Sequence, residues 1–237
     1  MKIMTFNIQS CKDFIKQEFN YKICGNLIKE YNPDVLGLNE VTNGYVPEKG
    51  PRYIEQVDVL KTYCEYPYSY FAEAIKIHDI APYGNAVLSK KKINSPKTII
   101  IPDPERTEDC YYETRAIIKC EIDGIIFLIT HMGLANGERI NAVKEIIDLT
   151  KKETKPIILM GDFNMEPNSD IIKPLYDYYN DTTSLIDGDI NTFSSVEPKV
   201  KIDYIMIKKD CNIKLKEIKV IRKVASDHFP LLLEIEK

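Results

Sequence analysis

Short apolar runs recur along the whole 237-residue chain, each closed by Gly, Pro or a polar residue, with a few amphipathic stretches between them. That alternation predicts a mixed α/β fold with helices outside packed sheets. No Gly/Ser linker, low-complexity tract or fixed-period repeat divides the chain, so one domain over residues 1–237 is expected. Hydrophobic content of 44% with 29% charged residues is ordinary for a soluble globular protein and allows a core of good size.

The elements follow in order. Lys2 to Ile8 reads as a strand ending at Asn7. From Phe19 to Tyr31, Ile23, Leu27, Ile28 and Tyr31 fall at helical spacing, and Asn32-Pro33 closes the helix. Val35, Leu36 and Leu38 form a buried strand that ends at Asn39-Glu40. Pro51 to Tyr63 reads as a helix opening on proline. Tyr66 to Ile77 is extended and aromatic-rich, and Gly84 to Ser89 is a short strand. Ile93 to Ile101 and Tyr111 to Ile122 are strands around a charged loop, Pro102 to Asp109. Asp123-Gly124 turns the chain into the apolar strand Ile125 to Thr130, which ends at His131. Asn136 to Thr150 is an amphipathic helix with Ile140, Val143, Ile146, Ile147 and Leu149 inward. Ile202 to Ile207, Ile213 to Ile221 and Leu231 to Ile235 complete the strands, after a loop-rich region from Glu166 to Pro198.

The central stretch is Ile157-Ile158-Leu159-Met160-Gly161-Asp162-Phe163-Asn164. A wholly apolar run between Pro156 and Gly161 reads as a strand buried on both faces. Period-two alternation would point Asp162 and Asn164 one way and Phe163 back into the packing. A carboxylate and an amide at such a strand end suit a hydrated metal ion or a phosphate oxygen. An ordinary Asx turn has the same sequence.

Composition narrows the class. The net charge of −4 provides no global basic field to recruit long nucleic acid. Lys90-Lys91-Lys92 is a local basic patch that could touch a phosphate backbone, but three lysines at a strand end are more often a solvated edge. No apolar run approaches the roughly 20 residues of a membrane-spanning helix, and the first residues look like a strand rather than a signal peptide. The six cysteines lack CxxC spacing, so reduced thiols, a cytoplasmic location and no zinc site are expected. Nothing marks a protein partner, and a monomer is expected.

Six strand ends carry Asn, Asp, Glu or His: Asn7; Glu40; His131; Asp162 with Asn164; Asp203; and Asp227 with His228. One polar residue after an apolar run is normally a solvated strand end. Six of them, including two of only three histidines, point to a shared site. The set suits phosphoester hydrolysis. Carboxylates such as Glu40 bind Mg²⁺ or Mn²⁺, amides hold metal or phosphate oxygens without adding charge, and histidines stabilise or protonate a phosphoryl oxygen.

In order along the chain stand Thr5-Phe6-Asn7, Leu38-Asn39-Glu40-Val41, Tyr83-Gly84-Asn85-Ala86-Val87-Leu88-Ser89, Thr130-His131-Met132-Gly133-Leu134, Gly161-Asp162-Phe163-Asn164, Ile202-Asp203-Tyr204-Ile205 and Ser226-Asp227-His228-Phe229-Pro230. Over nearly its full length the chain thereby resembles the endonuclease/exonuclease/phosphatase, or DNase I-like, superfamily. The resemblance implies a four-layer α/β sandwich, two packed mixed β-sheets flanked by α-helices, and cleavage of a phosphodiester or phosphomonoester with Mg²⁺ or Mn²⁺. It implies Glu40 as principal metal ligand with Asn7 beside it, and Asp227 on the metal side. It gives Asp162 the attacking water and Asn164 a phosphate oxygen. It sets His228 on the phosphate, held by Asp203, and His131 near the leaving group or the phosphate. Asn85 would line the cleft. Arg115, in Glu113-Thr114-Arg115, would add positive charge, or else form a strand-surface salt bridge with Glu113.

Departures from the pattern bear on the substrate. Relatives specialised for abasic DNA often carry Asp where this chain has Gln9, together with a Trp-rich segment, and this chain has no Trp. The signal peptide and exposed aromatic hairpin of sphingomyelinase-like members are not evident, Tyr111-Tyr112 being the one pair that suggests such a hairpin. The expected substrate is a phosphodiester in nucleic acid or a nucleotide-like molecule. A phospholipid or inositol phosphate is the alternative within the class, and an inactive binding scaffold the alternative outside it.

Overall fold

In the computed structural model, which describes residues 1–236, the strands form two six-stranded sheets. The first sheet contains β1 (Lys2–Asn7), β2 (Val35–Thr42), β3 (Tyr68–Ile77), β4 (Ala81–Ser89), β11 (Lys214–Val220) and β12 (Leu231–Glu236). Its order is β11-β12-β1-β2-β4-β3. The second contains β5 (Ile93–Ile100), β6 (Ala116–Ile122), β7 (Ile125–His131), β8 (Ile157–Asp162), β9 (Tyr179–Asp181) and β10 (Asp203–Lys208), in the order β5-β6-β7-β8-β10-β9. The helices are α1 (Tyr21–Tyr31), α2 (Gln56–Tyr63), α3 (Asn136–Thr150) and α4 (Lys173–Tyr178).

Strand alternation divides the core into three slabs, which makes four layers. In β1, Ile3 faces the other sheet while Met4 and Phe6 face the helices; in β8, Ile158 and Met160 face inward while Ile157 and Leu159 face outward. The middle slab joins Ile3, Val35, Val87 and Leu233 to Phe127, Ile129, Met160 and Ile205. One outer slab packs Leu27, Ile28 and Leu60 of α1 and α2 on the first sheet. The other packs Val143, Ile146 and Leu175 of α3 and α4 on the second. The four-layer sandwich implied by the resemblance is the observed architecture.

Each sheet has one parallel pair at its centre. β1 runs parallel to β2 through α1, and β7 runs parallel to β8 through α3. Parallel neighbours joined by a crossover present their carboxyl ends together. Asn7 therefore lies opposite Asn39, and His131 opposite Asp162. Antiparallel β10 starts against that same end, with Asp203 opposite Asp162.

Some boundaries differ from the sequence reading. The strand expected from Tyr111 begins at Ala116, because Glu113 N donates to Glu138 Oε1 on α3 instead of entering the ladder. The helix expected from Pro51 begins at Gln56, where Asn43 Oδ1 accepts Val57 N and satisfies a first-turn donor. Ile140, expected inward, is 52% exposed, since the buried face of α3 runs through Ala142, Val143, Ile146 and Thr150 and leaves Ile140 on its flank.

Gly161 is required by its position. Its φ is +141°, and a Cβ there would meet Thr130 O of β7 at 1.8 Å. Gly161→Ala should therefore lower the urea-unfolding free energy by about 3 kcal/mol or more, the combined effect of a strained backbone and a displaced neighbouring strand. An unchanged unfolding midpoint would show that β7 and β8 can separate freely at this point.

Candidate active site

The ends of the two parallel pairs are tied together by a buried amide. Asn39 Nδ2 donates to Asn85 Oδ1 on β4 at 2.8 Å and to Thr130 O on β7 at 2.9 Å, while Asn39 Oδ1 accepts Asp162 N on β8 at 3.0 Å. Asn85 in turn donates to Ala116 O at 2.8 Å. Four side-chain hydrogen bonds thus join both sheets directly beneath the polar cluster.

Above this brace, Asn7 is the hub. Its Nδ2 lies 3.0 Å from Glu40 Oε1, 3.0 Å from Asp162 Oδ2 and 3.5 Å from His228 Nε2. Glu40 reaches it from a bulge, where the β2–β4 register shifts between Leu38 and Val41 and Glu40 takes φ +57°. A bulge re-aims a side chain in this way. Asn164 also has positive φ, at +50°, so the expected period-two alternation stops at Asp162. Its N donates to Asp162 Oδ1 at 2.9 Å, closing an Asx turn. Its Nδ2 nevertheless reaches Met132 O at 2.9 Å and His131 Nε2 at 3.1 Å, so the turn itself brings the amide into the site.

His228 is fixed on the far side. Its Nδ1 lies 2.8 Å from Asp203 Oδ2, and Phe193 packs on its ring with centroids 4.9 Å apart. Thr192 Oγ1 accepts the backbone N–H groups of Ile202 and Asp203, and Ser195 binds the carbonyls of Ser226 and Asp227. The segment Thr192-Phe193-Ser194, which reads in sequence as loop, is a buttress for the histidine.

Burial governs the charges. Desolvation pushes the Asp162 carboxyl up to about 7, with Asp203 adding to the effect and His228 opposing it. Burial alone would pull His228 down, but Asp203 and Asp162 outweigh it and hold the imidazole up at about 10. His131 is held well below its ordinary value by burial, then by Arg115 and His228. Asp227 is raised by burial and by Glu40, against His228. The two histidines therefore differ in charge at neutral pH.

The donor set fits a hard divalent cation. Asp162, Asp203 and His228 present ligating atoms within 4.8 Å of one another, but Asp203 and His228 already face each other. Glu40 and Asp227 remain, beside Asn7. Asp227 receives only neutral donors, Gln9 Nε2 at 2.8 Å and Ser226 Oγ at 3.0 Å. Gln9 Oε1 is buried and has no partner in the protein. Converging carboxylate and amide oxygens with no side-chain cation hydrogen-bonded to them are what Mg²⁺ or Mn²⁺ prefers.

Seven of the sequence-derived residues, Asn7, Glu40, His131, Asp162, Asn164, Asp203 and His228, form one connected group of close polar contacts, with Asp227 joined through Gln9. Asn85 lies beneath this group through Asn39, and Arg115 touches it through His131. Asn85 is buried, with both ends of its amide engaged by protein. Arg115 Nη1 lies 2.5 Å from Glu113 Oε1 and 3.1 Å from His131 Nδ1. Residues that the sequence reading did not assign to the site are Asn39, Gln9 and Phe193. Asn39 has a legible signal, an amide inside an otherwise apolar strand; Phe193 has none, because its role depends on a loop returning to His228.

A fold of two mixed six-stranded sheets with this site at the joined strand ends defines a class of phosphoester-cleaving proteins. Residues 4–228 match the family model described as Endonuclease/Exonuclease/phosphatase family, and the chain belongs to that family. An endonuclease/exonuclease/phosphatase family protein from Leptotrichia buccalis C-1013-b superposes with a TM-score of 0.79 at 25% identity, covering 100% of both chains. A family protein from Beutenbergia cavernae DSM 12333 gives a TM-score of 0.80 at 18% identity, over 99% of this chain and 71% of its own. A mannosyl-6-phosphatase from Bacteroides thetaiotaomicron VPI-5482 gives 0.75 at 16% identity, covering 100% of both chains. No curated protein matches the sequence. Among the described residues, no helix is long and apolar enough to cross a membrane.

The two raised values have a thermodynamic consequence. Asp162 moves from 3.8 to about 7 and His228 from 6.5 to about 10, so the folded chain holds protons that the unfolded chain releases. The contribution of His228 is fully present below pH 6.5 and is lost as pH rises through 10. In metal-free protein, the stability difference between wild type and His228→Asn should be largest below pH 6.5 and shrink toward pH 10, as read from urea midpoints. A difference that grows over this interval would rule out a charged His228.

Proposed function

We propose that this chain, acting as one domain over residues 1–237, is a divalent-metal-dependent phosphoesterase that uses Mg²⁺ or Mn²⁺. The observation that carries the reading is the convergence of Glu40, Asp162 and His228 on the single amide of Asn7. Three chemical roles, metal ligand, base and phosphate contact, then lie within one phosphate's reach of each other.

The residues divide the work as follows. Glu40, with Asn7 and Asp227, would hold the cation. When bound, that cation polarises the phosphoryl oxygen and offsets the negative charge of the transition state. Asp162, with a proton affinity close to neutral pH, takes the proton of the attacking water. Its two oxygens are aimed by Asn164 N and Asn7 Nδ2. His228, kept cationic by Asp203, offers Nε2–H to a phosphoryl oxygen. Asn164 Nδ2 and His131 border the opposite side. Asn85 supports the site from below through Asn39.

For the substrate we favour a small, nucleotide-like phosphodiester over a long polymer. Binding a nucleic-acid backbone relies on rows of Lys and Arg meeting successive phosphates. Beside the site, the guanidinium of Arg115 is already paired with Glu113, whose carboxylate in turn feels the negative charges of Glu40 and Glu138. A local supply of charge from the cation suits one phosphate group better than many.

Purified protein with Mg²⁺ or Mn²⁺ should hydrolyse bis-p-nitrophenyl phosphate, and EDTA should abolish the activity. Asp162→Ala and His228→Ala should each lower kcat by about 10³-fold or more while retaining the far-ultraviolet circular dichroism of the wild type. Wild-type rates in both variants would refute the assignment.

A further inference from the structure

The contact between Arg115 and His131 determines which ring nitrogen bears the proton. Arg115 Nη1 lies 3.1 Å from His131 Nδ1. A guanidinium stays protonated and only donates, so Nδ1 must accept. A neutral imidazole whose Nδ1 accepts carries its hydrogen on Nε2.

The surroundings of Nε2 leave that hydrogen without a good acceptor. Asn164 Nδ2, 3.1 Å away, is the other donor facing the ring, but it already donates to Met132 O at 2.9 Å, and a neutral amide yields to a charged guanidinium in the competition for the single accepting nitrogen. Exchanging the amide's oxygen and nitrogen would set the oxygen against the Met132 carbonyl. Asp162 Oδ2, at 3.5 Å, lies at the outer limit of a hydrogen bond. The Nε2–H thus sits next to the base and the metal-side cluster, free to meet an incoming oxygen.

Arg115 is itself pinned. Glu113 Oε1 pairs with its Nη1 at 2.5 Å, Tyr111 Oη donates to Glu113 Oε2 at 3.2 Å, and Glu113 N is held by Glu138 Oε1 at 2.8 Å. Glu138 is buried at the start of α3, where its other oxygen accepts Ala135 N. The guanidinium is therefore anchored to the helix and directed at the imidazole.

We propose that Arg115 is a positioning residue that holds His131 as the neutral Nε2–H tautomer, so that His131 gives the phosphate a hydrogen bond and not a proton. The substrate half of this assignment rests on the phosphoesterase reading; the tautomer does not. Burial and the Arg115 charge also oppose protonation of the ring. The leaving group then departs without a proton from His131.

Nitrogen-15 spectra of the histidine rings in metal-free protein at pH 7 test the tautomer, with His131→Asn assigning the resonances. His131 should show an unprotonated Nδ1 and a protonated Nε2. In Arg115→Met the ring should shift to a mixture of tautomers, and kcat should fall about 10²-fold with KM within about threefold of wild type. Arg115→Lys, which keeps a donor, should recover part of both. A wild-type Nδ1 that is protonated overturns the proposal, as does an Arg115→Met variant with wild-type spectrum and kcat. If Arg115→Met does not fold, the wild-type spectrum and Arg115→Lys decide the matter. Because the spectra need no turnover, absence of phosphoesterase activity would remove the substrate role while leaving the tautomer standing or falling by itself.

Discussion

Two sheets can share one reaction centre only if their strand ends are held in register across the layer between them. Asn39 imposes that register. Its amide reaches β4, β7 and β8 from β2, and its oxygen takes the backbone N–H of Asp162 itself. Close approach makes the reach possible: Gly37, two residues earlier, leaves room where a Cβ would meet Met160 Cε at 2.7 Å. A buried amide with this many partners costs little to bury, because its donors and acceptor find protein groups in place of water. Removing it would leave the Asp162 N–H and the Thr130 carbonyl exposed to that penalty, and would leave Asp162 unaligned.

The same burial that builds the site also sets its electrostatics. Asp162, Asp203 and His228 are each at most 4% exposed, so their charges interact with little screening. The His228–Asp203 pair resolves into a charged couple, while Asp162 is left near the midpoint of its titration. His131, a few ångströms away, goes the other way because its neighbour is a guanidinium and not a carboxylate. Two imidazoles flanking one carboxylate oxygen, at 3.5 and 3.6 Å, thus acquire different protonation states from their second partners alone.

Much of this was legible in the chain because strand periodicity and strand ends are local properties. Asn7, Glu40, His131 and Asp162 all follow apolar runs, Asp203 and His228 stand just ahead of them, and parallel β1–β2 and β7–β8 pairing brings the first four together by topology alone. What was not legible depends on backbone turns and on partners far away in sequence. Glu40 and Asn164 reach the site through positive φ angles, which no side-chain pattern announces. Glu113 reads as a strand residue, but Glu138, more than twenty positions later, draws it out of the ladder. Ile140 has the apolarity of an inward residue and the helical phase of a flanking one.

The first sheet places β12 between β1 and β11, so that Lys2 pairs with Glu234 and Thr5 with Leu231. The strand bearing Asn7 therefore acquires its second neighbour from residues more than two hundred positions away. Pairings of such separation form slowly, since a long chain must be closed before they return any stabilisation. His228 arrives on the same segment, three residues before β12 begins. During synthesis, Glu40 and Asp162 emerge well before Asp227 and His228, which arrive together. The nascent chain thus remains chemically incomplete until β12 closes the sheet, which ties the appearance of the whole site to one late folding event.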